Sequence, residues 1–208
     1  MALPQEPLTR PAPTPRAKAG GGERIILIRH GQPKIELAPR TSHAGFHTYI
    51  DAYEDAGLDP QSLPPNELRD LVKELNEIFT SARPRAHQSA ATLAPHAELV
   101  VDPLFTEAPL ASPKIPLLKM TVQKWAVVAR LLWHAGFHPK IETYLRARKR
   151  ACDAANILMT RAAKDGASAL VAHGYFNFLI GRELKRRGFK QTGGHRAKYW
   201  NAVIYQKG

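Results

Sequence analysis

The sequence predicts a three-layer α/β/α sandwich around a mainly parallel sheet with an edge strand. Three observations carry that prediction. Short continuous apolar runs, residues 25–28 and 169–172, read as central strands buried on both faces. Segments with apolar residues at helical spacing alternate with them. Arginine or histidine side chains directly follow several of the runs, where the carboxyl ends of parallel strands bind ligands in open α/β sheets.

Residues 1–22 are expected to be a disordered tail. Prolines at 4, 7, 11, 13 and 15 and the run Gly20, Gly21, Gly22 allow neither helical nor strand periodicity, and no apolar stretch resembles a secretory signal. One domain is expected over 23–208. It opens with Ile25-Ile26-Leu27-Ile28 as a buried strand. Residues 32–65 are broken by prolines and glycines, with a short helix around 46–56. Asn66 caps a helix in which Leu68, Leu71, Val72, Leu75 and Ile78 share a face. The chain then switches to a strand over 78–80, a helix over 84–93 and a strand over 99–101. Residues 103–116 form a proline-punctuated loop. Helices over 120–134 and 140–164, a strand over 169–172 and a helix over 176–187 follow. Residues 200–205 read as the edge strand.

Composition narrows the function. The chain has 208 residues with 30 lysines and arginines against 18 acidic residues, a formal net charge of +12. That charge favours anionic partners: phosphorylated metabolites, nucleic acid or an anionic surface. A single cysteine, Cys152, excludes an internal disulfide framework and a cysteine metal cluster. No apolar run approaches the ~20 residues of a membrane helix, so a cytoplasmic protein is expected.

Four polar sites share one placement. Arg29-His30-Gly31 follows the first strand, Arg85 opens the helix after the second, Glu107 lies shortly after the third, and His173-Gly174 follows the fourth. If those strands are parallel neighbours, the side chains converge on one pocket, with helix N-termini adding backbone donors. Arginine forks match phosphate oxygens, so Arg29 and Arg85 can hold three of them and stabilise charge during transfer. A neutral imidazole can attack phosphorus, a second histidine if protonated adds a donor, and a carboxylic acid can protonate the leaving alkoxide. The cationic side chains supply the neutralisation, so the chemistry calls for no metal and no cofactor.

These residues resemble a known family. Ile28-Arg29-His30-Gly31 is similar to the signature of the histidine phosphatase superfamily, the phosphoglycerate mutase-like proteins. The stretch Thr80 to Ala90 resembles the family's second signature, with Arg85 rather than Arg83 in the phosphate-binding place. Val171-Ala172-His173-Gly174 resembles the third, and Leu104-Phe105-Thr106-Glu107 the segment that carries the proton donor. The likeness covers residues 24–206. It implies a phosphoglycerate mutase-like fold and a metal-independent phosphatase acting on a small phosphorylated substrate. It implies His30 as nucleophile forming a phosphohistidine, Arg29, Arg85 and His173 as phosphate ligands, and Glu107 as acid and base. Gln32-Pro33-Lys34-Ile35-Glu36 departs from the Glu-Ser that follows in the family's mutases, which counts against phosphoglycerate mutase activity. Mutase, phosphohistidine protein phosphatase and non-catalytic phospholigand scaffold stand as alternatives.

Other features have plainer readings. Arg83 reads as a solvated residue at a helix start. His43 and His47 stand four apart, but with Gly45 between them and no third ligand they read as helix residues. The run 125–133 reads as a buried helix, or a dimer surface if exposed. Basic residues from Arg182 to Lys198, Arg187 and Arg196 among them, outnumber the single Glu183. Without a stacking platform they read as a field for phosphorylated substrates, with nonspecific nucleic-acid binding as a side effect. Cys152 reads as a buried small apolar residue.

Overall fold

A computed structural model of the protein describes residues 22–36, 40–194 and 198–208. The tail expected over 1–22 lies outside the described residues except for Gly22, as do Pro39 and Arg196. The chain runs β1 (Glu23–Arg29), α1 (His43–Asp55), α2 (Asn66–Val72), β2 (Glu77–Thr80), α3 (Pro84–Leu93) and β3 (Glu98–Val101). A 3-10 turn (Pro103–Phe105) precedes α4 (Val122–His134), α5 (Tyr144–Asp165), β4 (Ala167–Ala172), α6 (Gly174–Arg186), β5 (Lys190–Gly193) and β6 (Ala202–Lys207).

The sheet order is β3-β2-β4-β1-β6-β5. The first four strands in that order are parallel, and β6 runs antiparallel to β1 and to β5. Alternation along β1 and β4 splits the core between two layers. Ile25, Leu27, Leu170 and Ala172 face α5 and α6, whereas Ile26, Ile28, Ala169 and Val171 face α2 and α3. The α5 face is a stripe of small residues, Ala147, Ala151, Ala154, Ala155 and Ala162, which lets a long helix lie close to the sheet. That helix ends at Gly166, in the left-handed region with φ +82°, where a β-carbon would be strained.

A third, smaller core sits apart from the sheet. Phe46 of α1 stacks on Trp125 of α4 with centroids 5.9 Å apart, and Val122 and Ala129 complete the cluster. The Trp125 Nε1–H donates to the Thr41 carbonyl at 2.8 Å, and Thr41 and Met120 exchange backbone hydrogen bonds of 2.8 and 3.0 Å. These contacts tie α1 and α4 into a cap.

Several expectations are corrected. The strand near the C-terminus is not the edge: β6 lies between β1 and β5, and β5 takes the edge. The Lys-Gln-Thr-Gly sequence of β5 has no apolar alternation, because an edge strand here buries little. The helix pattern carried through Leu75 and Ile78 stops at Val72, and Ile78 belongs to β2 as expected for the strand over 78–80, while Asn66 is the first helical residue after a Pro65 cap rather than the cap itself. The helix expected from 140 starts at Tyr144. Lys140 has φ +58°, and the Thr143 side chain caps the true first turn by accepting from the Arg146 amide. Similarly, Ser42 starts α1 at His43, Thr121 starts α4 at Val122, and α6 begins at Gly174 directly after its histidine. Cys152 is half-buried rather than enclosed, with the Arg187 guanidinium 2.8 Å from its sulfur. Among the described residues no helix is long and apolar enough to cross a membrane.

Candidate active site

Register places the site. Arg29, last in β1, pairs with Ala172, last in β4, while Thr80 of β2 pairs with Val171 and Val101. His30, His173 and the turn before Arg85 therefore leave the sheet at one edge. His30 and His173 ring centroids are 5.2 Å apart, and an Arg85 Nη2 lies 3.5 Å from His173 Nδ1. All three side chains are buried.

Each group is held by specific neighbours. His30 Nδ1 is 2.7 Å from the Gly31 carbonyl, which can only accept, so Nδ1 carries the proton and Nε2 keeps its lone pair. Burial holds the His30 imidazole neutral, lowering its pKa to about 3 despite the Gly31 carbonyl, with Arg85 and Arg29 adding to the effect. Burial also drives His173 well below its ordinary value, with the His30, Arg85, Arg83 and Arg29 charges in the same sense. Its Nδ1 faces the Arg85 guanidinium, so its proton sits on Nε2 and is donated to Ser81 Oγ at 2.9 Å. His173 is thus neutral with both nitrogens engaged.

Gly31 is fixed by close approach. Its amide donates to Ser89 Oγ at 2.9 Å, and a β-carbon there would come within 2.5 Å of the Trp200 ring and 2.6 Å of Leu58. Ser89 Oγ in turn donates to the Arg85 carbonyl at 2.6 Å. Asn177, one turn into α6, donates to the Ile28 carbonyl at 2.9 Å and ties the helix to the end of β1. The Arg29 guanidinium lies over the Tyr199 ring at 4.6 Å and passes Gly174, where a β-carbon would be 3.4 Å away.

Arg85 is enclosed by α1. Its Nη1 donates to the carbonyls of Tyr53 at 2.6 Å and Glu54 at 3.2 Å, and its guanidinium lies 4.2 Å from the Tyr53 ring centre. The Tyr53 hydroxyl stands 3.4 Å from His30 Nε2. Glu54 also pairs with Arg83 and approaches Arg85 at 3.8 Å. Arg83 is therefore not the solvated residue expected from sequence, because the end of α1 brings a carboxylate against it.

Glu107 caps α6. Its Oε1 accepts from the amides of Ala108 at 2.9 Å and Phe176 at 2.8 Å, and its Oε2 accepts from Tyr175 at 3.2 Å. A carboxylate at a helix N-terminus satisfies open amides and meets the positive dipole end. Two arginines clamp its loop. Arg150 donates to the Leu104 and Thr106 carbonyls at 2.8 and 2.6 Å while paired with Glu142. Arg130 donates to the Ala108 and Pro109 carbonyls at 2.8 and 3.3 Å, sandwiched against Trp133 and Tyr175.

A cavity of about 870 Å³ is lined by Arg29, His30, Tyr53, Glu107 and Tyr199. All five residues expected from sequence thus gather at one edge of the sheet, but Arg85 lies against the Tyr53 ring, His173 lies against Arg85 and Ser81, and neither is on the cavity wall. Sequence reasoning missed Tyr53, Glu54, Ser81, Ser89, Asn177 and Tyr199. Ser81 and Ser89 lie within the second motif and Asn177 lies one turn past the third, so proximity was a usable signal for them. Tyr53 lies on the helix expected around 46–56 and Tyr199 just before the strand expected from 200, but neither follows a motif, so nothing marked them. His47 sits on the exposed side of α1, paired with Asp51.

Comparison with known proteins bears on the fold and the family. The sequence pattern of the histidine phosphatase superfamily (branch 1) matches residues 25–205. No curated protein matches the chain in sequence. Among solved structures, an Entamoeba histolytica phosphoserine phosphatase complexed with 3-phosphoglyceric acid superposes with TM-score 0.56 at 15% identity, covering 89% of this chain and 97% of that one. An ecdysone phosphate phosphatase from Bombix mori, in complex with tungstate, gives TM-score 0.55 at 14% identity over 88% of each chain. A mycobacterial glucosyl-3-phosphoglycerate phosphatase gives TM-score 0.53 at 18% identity, covering 79% of this chain and 80% of that one. At these identities the likeness is one of fold. The family match spans most of the sequence, and the chain belongs to the histidine phosphatase superfamily.

Proposed function

We propose that this histidine phosphatase superfamily member hydrolyses small phosphomonoesters through a phosphohistidine on His30. The observation that carries the reading is the state of that imidazole. It is buried and neutral, its Nδ1–H is spent on the Gly31 carbonyl, and the Nε2 lone pair is left at a cavity flanked by Arg29. Nε2 attacks phosphorus as the ester P–O bond breaks. Arg29 and Arg85 take the non-bridging oxygens and the charge that builds on them. Glu107, protonated on Oε2, the oxygen with a single and longer amide contact, gives its proton to the leaving oxygen. Water then attacks the phosphohistidine, passes a proton to Glu107 and releases inorganic phosphate.

Phosphate reaches Arg85 by replacing the Tyr53 and Glu54 carbonyls on its fork, so the end of α1 shifts when substrate enters. The Arg85 Nε–H, buried and without a hydrogen-bond partner among the described residues, is a further donor for that oxyanion. The arriving dianion favours the imidazolium of His173, which then adds its own donor. A concave cavity of about 870 Å³ with a largely apolar wall, rather than a broad shallow basic mouth, favours a small-molecule ester over a phosphohistidine on a protein surface.

Hydrolysis of an aryl phosphate without added metal tests the reading, with acid-quench trapping of the phosphoenzyme. Steady turnover and a labelled wild-type protein, both lost in His30→Ala, are expected. Turnover retained by His30→Ala would overturn it. Glu107→Gln should slow alkyl phosphates at least tenfold more than aryl phosphates, since a good leaving group needs no proton. Equal losses would remove Glu107 from the acid role.

A further inference from the structure

The cavity beside His30 points to a class of leaving group, an inference that rests on the phosphatase reading. Its volume of about 870 Å³ stands near the top of the ~300–1,000 Å³ span of small-molecule sites. A phosphate on a two- or three-carbon alcohol would leave most of it unfilled. Between α1, the loop after Glu107 and α4, the wall is made by Phe46, Tyr49, Ile50, Leu110, Val122 and Ala126. None of these carries a charge. Val127 continues the wall outward and is 60% exposed, so apolar lining reaches the mouth. The charged groups stand elsewhere on the lining. Arg29, Glu54, Glu107 and Arg130 belong to the His30 end and the loop clamp, and Arg182 and Lys185 belong to α6.

This division has a direct chemical meaning. A polyol or hydroxy acid laid against the α1–α4 wall would give up water without regaining hydrogen bonds. An apolar group there would bury its surface and that of the wall together. The apolar surface is continuous with the cavity that holds Arg29 and His30, so an amphipathic ester would place its phosphate on the cations and its tail on the wall.

We infer that the substrates are phosphomonoesters of bulky apolar alcohols, extended alkyl chains or fused rings, seated between α1 and α4. Calorimetric titration with n-alkylphosphonates from ethyl to octyl tests this. Their C–P bond is not cleaved, so binding is read without turnover. The dissociation constant should fall about two- to fourfold with each added methylene until the wall is covered. Val127→Glu, at an exposed helix position, should flatten that dependence. A constant that does not change with chain length overturns the inference. So does a flat series in a protein that sediments as a dimer and is split by Val127→Glu, which would assign the wall to a second copy. Turnover of p-nitrophenyl phosphate, measured in parallel, reports on the phosphatase reading alone. A flat series with turnover rejects only the leaving group, whereas a steep series without turnover rejects only the chemistry.

Discussion

Two buried neutral histidines should make this protein sensitive to mild acid. In the unfolded chain a histidine takes a proton at about pH 6.5. Folded, His30 holds off protonation until about 3, and burial drives His173 well below its ordinary value too. The unfolded state therefore binds protons first as the pH falls. Stability is full above about pH 6.5 and drops by ~1.4 kcal/mol per pH unit for each such histidine until its folded pKa is reached. Between about pH 7.5 and pH 5 the loss from His30 comes to ~2 kcal/mol, and His173 adds to it in the same direction. That is a large part of the 5–15 kcal/mol that holds a typical domain together. Urea unfolding followed by circular dichroism at a series of pH values measures it. His30→Asn should remove ~2 kcal/mol of the pH-dependent loss, His173→Asn should lessen it in the same direction, and the double variant should remove more than either alone, whatever their effect at neutral pH. An unchanged slope in the double variant would refute the assignment of both imidazoles as neutral.

Two further outcomes follow from the packing around the same residues. Gly31→Ala should cost about 1–3 kcal/mol, seen as a lowered thermal midpoint, because the new methyl meets the Trp200 ring and Leu58 at 2.5 and 2.6 Å; an unchanged midpoint would show that the indole moves aside freely. Tyr53→Ala should tighten inorganic phosphate binding several-fold in calorimetry, because it uncovers Arg85 and leaves fewer contacts to displace; weaker binding would show that the ring belongs to the phosphate site itself.

Much of the candidate site was legible because its residues follow strands whose apolar runs are unmistakable. Arg29 and His30 are adjacent to Ile25–Ile28, and His173 to Ala169–Ala172, so locating the strands located the side chains. The edge strand was illegible for the converse reason: Lys190–Gly193 buries too little to need an apolar pattern. The end of α2 was ambiguous because Ile78 satisfies helical spacing and strand alternation alike, and only pairing with β3 decides between them. Tyr53 over Arg85 could not be read at all. That contact depends on how α1 folds back, 32 residues distant in sequence from its partner, and nothing periodic records it. Glu107 reaches the cavity beside His30, but its grip on the α6 amides is a property of the tertiary approach of a loop to a helix.

The cap has its own evolutionary logic. Phe46, Val122, Trp125 and Ala129 hold α1 and α4 to each other by contacts that bypass the strands. Changes of side chain on the inner surface of these two helices can retune which molecules are admitted without disturbing the register that aligns the reactive groups. The end of α1 breaks this separation, because the Tyr53 and Glu54 carbonyls there accept from Arg85 and link the cap to the strand-end residues.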